Sequence, residues 1–222
     1  IIGMLDLAER CPDDQEMQKR CRDKIRESSR YLVALVNDIL DMNKLESETE
    51  VNQNIPFDLA ELLSKANSSR EKMAADKLID YVVDWKRSGI KHRYLIGNPL
   101  YVERILTIIA DNAVKFTNAG GQIQVWCEEK TADDSHVTYQ FGCSDTGIGM
   151  SEEFVKRAFD MFSQENETSR SKYEGSGLGL AIAKKIMDEH GGRIWAESEL
   201  GKGTSIYFTL RKENEHKEEH NE

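Results

Sequence analysis

The chain has 222 residues, 39% of them hydrophobic and 32% charged, with a formal net charge of −10 and a pI of about 5.1. This length allows one large domain or two modest ones, and the apolar fraction suffices for a core. The acidic balance argues against general nucleic-acid binding, and no run approaches the ~18 apolar residues of a membrane span, so we expect no membrane contact. We see no signal-peptide pattern and expect none, and a start at Ile1-Ile2-Gly3 predicts a fragment of a longer protein.

The four cysteines are Cys11, Cys21, Cys127 and Cys143, and no two of them form a Cys-x-x-Cys pair. This spacing favours ordinary thiols in a reducing compartment over a disulfide framework or a zinc site. We therefore expect four free thiols.

Residues 1–50 are predicted to form a short helix, a turn and a long helix. Pro12 would disrupt a helix, and Asp13 or Asp14 can cap the next one. From about Gln15 to Leu45 the apolar residues recur every three or four positions: Met17, Cys21, Ile25, Leu32, Val36 and Ile39, widened by Val33, Leu35, Leu40 and Met42. A helix of ~30 residues spans ~45 Å, more than the first helix can cover. This predicts a dimeric four-helix bundle; the alternative is a long helix packed on its own domain.

A polar stretch at 46–54 places a domain boundary near Val51. Beyond it, residues 54–59 predict a strand and a helix start capped by Asp58, with a buried stripe of Leu59, Leu62, Leu63 and Ala66. Residues 79–85 and 93–96 predict two more strands. Gly97-Asn98-Pro99 then turns the chain into a helix that runs to about Thr117.

Asn112 is the first residue of that helix that packing does not explain. It follows Ile109 by three positions and Ile108 by four, on the apolar side of the helix. An amide there needs a partner. Lys115 follows at i+3, so the two head groups can converge. The alternative is a buried amide satisfied by the protein, with Lys115 at the surface.

The remaining chain alternates strands and helices. Strands are predicted at 122–128, 136–143, 193–197 and 204–210, with a polar loop at 129–135. Ser151 is expected to cap a short helix with Phe154 and Ala158 inward. A helix after Gly175 is predicted to reach Glu189, burying Ala181, Ile182, Ile186 and Met187. Residues 211–222 are almost wholly charged or polar and predict a solvated tail or linker. The pattern predicts an α+β sandwich with helices on one face of a mixed sheet.

Two glycine clusters frame a polar segment. The first is Asp145-Thr146-Gly147-Ile148-Gly149, and the second is Gly175-Ser176-Gly177-Leu178-Gly179-Leu180. Glycine permits close backbone approach and positive φ, which a loop that cradles phosphate needs. The GxGxxG order of dinucleotide folds and the GxxxxGK[ST] loop are both missing. The clusters therefore predict a nucleotide pocket of another kind with a mobile cover.

Five ordered blocks resemble those of sensor histidine kinases of two-component systems. They are residues 112–117, 145–149, 159–162, 175–180 and 201–204, similar to that family's asparagine box, first glycine box, phenylalanine box, second glycine box and final glycine motif. Residues 37–41, Asn-Asp-Ile-Leu-Asp, are similar to the second helix of the family's dimerisation domain. The resemblance implies an N-terminally truncated dimerisation hairpin at 1–50, an ATP-binding domain of the gyrase, chaperone and histidine kinase type at 51–212, and a charged tail or linker at 213–222.

The resemblance also implies roles at the adenine and metal end of the pocket. Asp145 would accept a hydrogen bond from the adenine amino group. Gly147 and Gly149 would let the backbone pass close to the base, and Phe116 would lie against it. Asn112 would ligate Mg²⁺, a cation that prefers oxygen donors.

Further roles concern the phosphates. Lys115 would contact phosphate oxygens. Gly175, Gly177, Leu178 and Gly179 would place the start of the following helix at the phosphates. Lid candidates for the γ-phosphate are Arg170, Lys172, Tyr173 and Ser176. Phe159 and Phe162 would anchor the lid, and Thr204, the last nucleotide-site candidate, is expected to be structural.

The implied reaction moves the γ-phosphoryl of Mg-ATP to a histidine and then to the aspartate of a response-regulator receiver domain, separate or fused. In the family a His-Glu-x-x-Thr-Pro box precedes an Ile-Ile-Gly segment, so the acceptor would lie about nine residues before Ile1, some two and a half turns upstream. The five histidines present are His92, His136, His190, His216 and His220, all outside that box. We expect a cytoplasmic portion of a membrane-anchored kinase that binds ATP without labelling itself.

Ile108 stands where the family usually has another asparagine. One interpretation is harmless drift, because Asn112 supplies the main oxygen. The other is a weakened kinase biased toward phosphatase or scaffold behaviour. The alternative function is a non-catalytic, nucleotide-gated signalling module. A hydrolytic ATPase of the same superfold is disfavoured, because those proteins need an acid near Ile108 and lack the hairpin.

Overall fold

The computed structural model describes residues 1–46, 55–84, 90–133, 135–165 and 176–214. It begins with a helical hairpin in which α1 (Ile2–Arg10) packs against α2 (Gln15–Glu46). The break lies at Pro12, and the Asp14 carboxylate accepts a hydrogen bond from the Met17 N–H (2.9 Å). The predicted turn and long helix are confirmed. Within the described parts of the chain, no helix is both long and apolar enough to cross a membrane.

The two ends of α2 have different surroundings. Cys21, in the half beside α1, is buried. Leu35 packs against the core of the following domain, so α2 does lie partly on its own domain. Five large apolar side chains of the second half remain 43–60% exposed: Leu32, Val33, Val36, Ile39 and Leu40. A stripe of this kind marks an interaction surface.

The rest of the described chain builds a seven-stranded mixed sheet. Its strands are β1 (Ile55–Asp58), β2 (Asp80–Asp84), β3 (Tyr94–Gly97), β4 (Gln122–Ala132), β5 (His136–Asp145), β6 (Arg193–Glu199) and β7 (Gly203–Asn214). The strand order is β1-β3-β7-β5-β4-β2, and β6 also pairs with β7. β2 and β4 are parallel, and the other described pairs are antiparallel.

Capping residues fix where the helices of this domain begin. They are α3 (Leu59–Asp76), α4 (Pro99–Phe116), the single turn α5 (Glu152–Val155) and α6 (Gly179–Glu189). Asp58 accepts hydrogen bonds from two N–H groups of α3, Asn98 from one of α4, and Ser151 from one of α5. The caps predicted at Asp58 and Ser151 are confirmed.

One core joins the helices to the sheet. Alternate residues of the central strands are buried: Val137, Tyr139, Phe141 and Cys143 of β5, and Ile206, Phe208 and Leu210 of β7. The predicted stripe of α3 is buried in the same core, together with Ile182, Ile186 and Met187 of α6, and Ala181 is buried as well. α4 contacts both α3 and α6 as well as β5. The α+β sandwich is confirmed, and all four cysteines are free thiols.

Two boundaries differ from the predictions because backbone pairing does not require apolar side chains. β4 continues to Ala132 through a register shift between Glu129 and Thr131, so the predicted loop at 129–135 was too long. β7 continues to Asn214, and Glu213 and Asn214 pair with β3. Arg211 and Lys212 pair with β5 as well, so assigning residues 211–214 to a solvated tail was wrong.

The short turn after β4 is closed by one carboxylate. Asp133 accepts hydrogen bonds from the N–H groups of Ser135 (2.9 Å) and His136 (2.7 Å). These two bonds lower the pKa of Asp133 to about 2. The turn delivers the chain into β5, whose last residue is Asp145.

Candidate functional site

A cavity of about 480 Å³ lies among α4, the end of β5 and the chain before α6. This volume is typical of a small-molecule site. Both glycine clusters and α4 contribute to its wall. The predicted nucleotide-site residues that line it are Asn112, Lys115, Phe116, Asp145, Gly149, Ser176, Gly177, Gly179 and Thr204.

The other predicted site residues divide into two groups. Arg170, Lys172, Tyr173 and Gly175 lie outside the described residues. Gly147 and Leu178 are described but do not line the cavity. The Leu178 side chain is buried in the core. A Cβ on Gly147 would lie 2.5 Å from the Phe116 carbonyl oxygen.

Asp145 is held in place by two backbone donors. Its Oδ1 accepts hydrogen bonds from the N–H groups of Gly147 (2.8 Å) and Thr204 (3.3 Å). No residue in the described ranges donates to Oδ2. Burial raises the pKa of this carboxyl above its ordinary value, and the two N–H groups oppose that rise. The site therefore contains a fixed acceptor with one oxygen available, which suits an exocyclic amino group.

Two glycines of the site could not be replaced without strain. Gly149 has φ +67° and Gly177 has φ +70°, a region that residues with a Cβ rarely adopt. A Cβ on Gly149 would overlap the Glu199 carbonyl, and one on Gly177 would overlap the Phe162 backbone. The cradle around the cavity is thus built on close backbone contacts that only glycine permits.

The cavity face of α4 carries Arg104, Ile108 and Asn112 at intervals of one turn. Asn112 is partly exposed, and its side chain has no hydrogen-bond partner among the described residues. The interpretation of Asn112 as a buried, satisfied amide is therefore wrong. Lys115 Nζ lies 4.6 Å from the centroid of the Phe116 ring, a cation–π contact beside the cavity.

The donor set fits a magnesium ion shared with phosphates better than a protein-only metal site. The described chain contains no group of three or more His, Cys, Asp or Glu side chains that could hold a metal. Asp111 lines the cavity but is paired with Arg70 (2.9 and 3.3 Å). The Asn112 amide oxygen remains, and Mg²⁺ commonly takes one or two protein oxygens together with phosphate oxygens.

The two predicted lid anchors behave differently. Phe159 packs against the core, as expected. Phe162 has φ +60° and its side chain is 63% exposed, so it anchors nothing in the described part of the chain. The left-handed turn at Phe162 brings its backbone, and not its ring, against Gly177.

Among the lining residues that the sequence did not single out, Arg104 and Asp38 are joined by a hydrogen bond. Arg104 carried a signal, because it lies eight residues before Asn112 and therefore on the same helix face. Asp38 belongs to the 37–41 segment that resembles the dimerisation helix, but nothing in the sequence places it at the cavity, where it accepts a hydrogen bond from Ser176, 138 residues away. Only the packing of the hairpin against the domain reveals it.

Two family models match the chain. The model described as "His Kinase A (phospho-acceptor) domain" matches residues 1–48, and that of "Histidine kinase-, DNA gyrase B-, and HSP90-like ATPase" matches residues 97–214. The second match alone covers more than half of the chain. The first match lies within the hairpin implied at 1–50, whereas the second begins 46 residues after the start of the ATP-binding domain implied at 51–212 and ends two residues beyond it.

Similar proteins carry sensor kinase names. Sensor protein GacS of Pseudomonas syringae pv. syringae is 33% identical over 88% of this chain and 21% of its own length. Signal transduction histidine-protein kinase BarA of Escherichia coli K12 is 32% identical over 84% of this chain and 20% of its own length. The crystal structure of full-length ShkA in complex with AMPPNP matches with a TM-score of 0.70 and 28% identity, over 96% of this chain and 42% of that one. The chain thus spans about a fifth of these two curated relatives and belongs to the sensor histidine kinases.

Proposed function

We propose that this chain is the kinase core of a sensor histidine kinase, which binds Mg-ATP for transfer of the γ-phosphoryl to a histidine and then to a response-regulator aspartate. The observation that carries the proposal is the Asp145 carboxylate. It is partly buried, fixed by two N–H groups and, among the described residues, left with one acceptor oxygen in a cavity of nucleotide size. Those properties suit the amino group of adenine.

The start of α6 has the properties expected of a phosphate-binding site. No side chain of the described residues caps this helix, so its first N–H groups are available to an anion. Asn112 and Lys115 supply an oxygen ligand and a positive charge on the facing helix. Bound Mg²⁺ would neutralise charge on the phosphates, and the chain's own residues position the nucleotide, which is most of what phosphoryl transfer requires.

The assembly is proposed from the hairpin. The exposed apolar stripe of α2 fits a homodimer that completes a four-helix bundle. The hairpin domain would span residues 1–50, and the ATP-binding domain would extend from 51 to the end of β7 at Asn214, with a terminal segment after it. The partner that receives the phosphoryl group would be a receiver domain, fused or separate. In the longer protein this region would lie on the cytoplasmic side of a membrane anchor.

A labelling experiment tests the proposal. With Mg²⁺ and γ-labelled ATP, we expect the chain to bind nucleotide but to gain no acid-labile label, because His92, His136 and His190 lie on the ATP-binding domain and outside an acceptor box. A longer form that includes the His-Glu-x-x-Thr-Pro box should gain such a label. A longer form that binds ATP but stays unlabelled would favour the non-catalytic, nucleotide-gated module.

The effect of Ile108 can be tested by restoring the asparagine. Ile108 is buried, and its Cγ2 would lie 3.4 Å from a Cβ on Gly179, so it forms the apolar contact between α4 and α6. In the longer form, we expect Ile108→Asn to raise phosphoryl transfer less than about twofold and to destabilise the fold by about 1–3 kcal/mol. Ile108→Val is the matched control. A large gain in transfer would show that the isoleucine weakens the kinase.

A further inference from the structure

A carboxylate of the helical hairpin lies inside the nucleotide cavity. Both oxygens of Asp38 are engaged: Oδ1 accepts a hydrogen bond from Arg104 Nη2 (3.1 Å), and Oδ2 accepts one from Ser176 Oγ (2.6 Å). The Asp38 side chain is only 17% exposed. One residue of α2 therefore contacts α4 and the second glycine cluster at once.

The two donors lie where phosphate is expected. On α4, Ile108 is one turn beyond Arg104 and one turn before Asn112. The first residue of α6, Gly179, lies against Ile108, so the helix start faces the middle of this row. Ser176 lies three residues before that start and accepts a hydrogen bond from the Leu178 N–H (3.2 Å).

A guanidinium and a hydroxyl bind phosphate oxygens as readily as carboxylate oxygens. The terminal phosphate of a nucleotide and the Asp38 carboxylate would be two anions in need of the same donors. Two anions bound to the same donors would lie close together and repel each other, and this repulsion is stronger in a partly buried cavity than in water. The phosphate and the carboxylate therefore cannot both accept hydrogen bonds from Arg104 and Ser176.

We propose that Asp38 is an internal mimic of the terminal phosphate. Its carboxylate accepts the hydrogen bonds of Arg104 and Ser176 when no nucleoside triphosphate is bound. Mg-ATP displaces the carboxylate because its terminal phosphate binds the same two donors. ADP, which has no third phosphate, leaves the contact in place. Since Asp38 belongs to α2, its displacement removes this polar contact between the hairpin and the ATP-binding domain. Arg104 is then a phosphate-binding residue, and the inference rests on the proposed binding of ATP.

Calorimetric titration with AMPPNP and with ADP, each with Mg²⁺, tests the competition. Asp38→Asn keeps the shape of the side chain and removes its charge. We expect it to bind AMPPNP about fivefold more tightly and to change ADP affinity less than about twofold. Asp23→Asn is the matched control, because Asp23 lies on the same helix, is 57% exposed and pairs only with Arg26 in the described contacts.

A second variant keeps the test independent of Asp38. Arg104→Gln should weaken AMPPNP about fivefold and ADP little, and it should reduce the gain from Asp38→Asn in the double variant. If Asp38→Asn changes both nucleotides equally, or no more than Asp23→Asn does, the inference is overturned while ATP binding stands. If the parent chain binds neither nucleotide, the proposed function and the inference both fail.

Discussion

Replacing Asp145 with asparagine is expected to weaken ATP binding by about 30- to 100-fold. In the carboxylate, Oδ1 accepts hydrogen bonds from two backbone N–H groups, and Oδ2 remains available to the ligand. In the asparagine side chain, the amide oxygen must accept the hydrogen bonds of the backbone donors, so the NH₂ group points toward the ligand. Two donors, that NH₂ and the adenine amino group, then face each other, and each loses a hydrogen bond in a partly buried site.

ITP distinguishes a base contact from a loss of structure, because it carries a carbonyl where ATP carries the amino group. The parent chain should prefer ATP over ITP, and Asp145→Asn should narrow or reverse that preference. Asp188→Asn is the control, since Asp188 is exposed on α6 and pairs with Lys184. Equal losses for ATP and ITP in Asp145→Asn would mean that the carboxylate only supports the fold.

The same carboxyl predicts how ATP affinity depends on pH. Burial raises the pKa of Asp145, so the group takes up a proton at a higher pH than an ordinary aspartate does. Only the ionised form offers Oδ2 as a pure acceptor. Affinity should therefore be full above the raised pKa and fall as the pH drops through it, whereas Asp145→Asn should show no such step.

Most of the site could be predicted because its signals are local in sequence. Asp145, the glycines after it and the cap at Ser151 depend on neighbours within a few residues. Helical periodicity places Asn112 on the apolar side of its helix, which singles it out as a site candidate. These residues take their positions from the strand or helix that carries them. The sandwich itself follows from the order of the elements.

What could not be predicted depends on packing between distant segments. Asp38 is an ordinary polar residue of a long helix until the hairpin lies against α4 and α6. Glu213 and Asn214 look like tail, but their backbones pair with β3 whatever their side chains are. Phe162 is a large aromatic residue of the kind that anchors a loop, but its φ of +60° turns its side chain outward. Sequence periodicity does not predict such a backbone angle.

Gly149→Ala is expected to lower the free energy of unfolding of the ATP-binding domain by about 3 kcal/mol or more. Two costs add at this position. A φ of +67° disfavours any residue with a Cβ, by roughly 1–2 kcal/mol. The new methyl group would also overlap the Glu199 carbonyl, which belongs to β6 and cannot move without disturbing its pairing with β7.

Gly201→Ala separates the two costs. Gly201 has a similar φ of +79°, and a Cβ there meets nothing within 4 Å, so only the backbone cost of about 1–2 kcal/mol applies. Urea unfolding followed by the fluorescence of Trp126 and Trp195, which lie in the sheet, measures both variants. Equal losses would refute the close contact. A larger loss for Gly149→Ala, with weaker ATP binding, would show that the first glycine cluster is held against the β6–β7 turn to position Asp145.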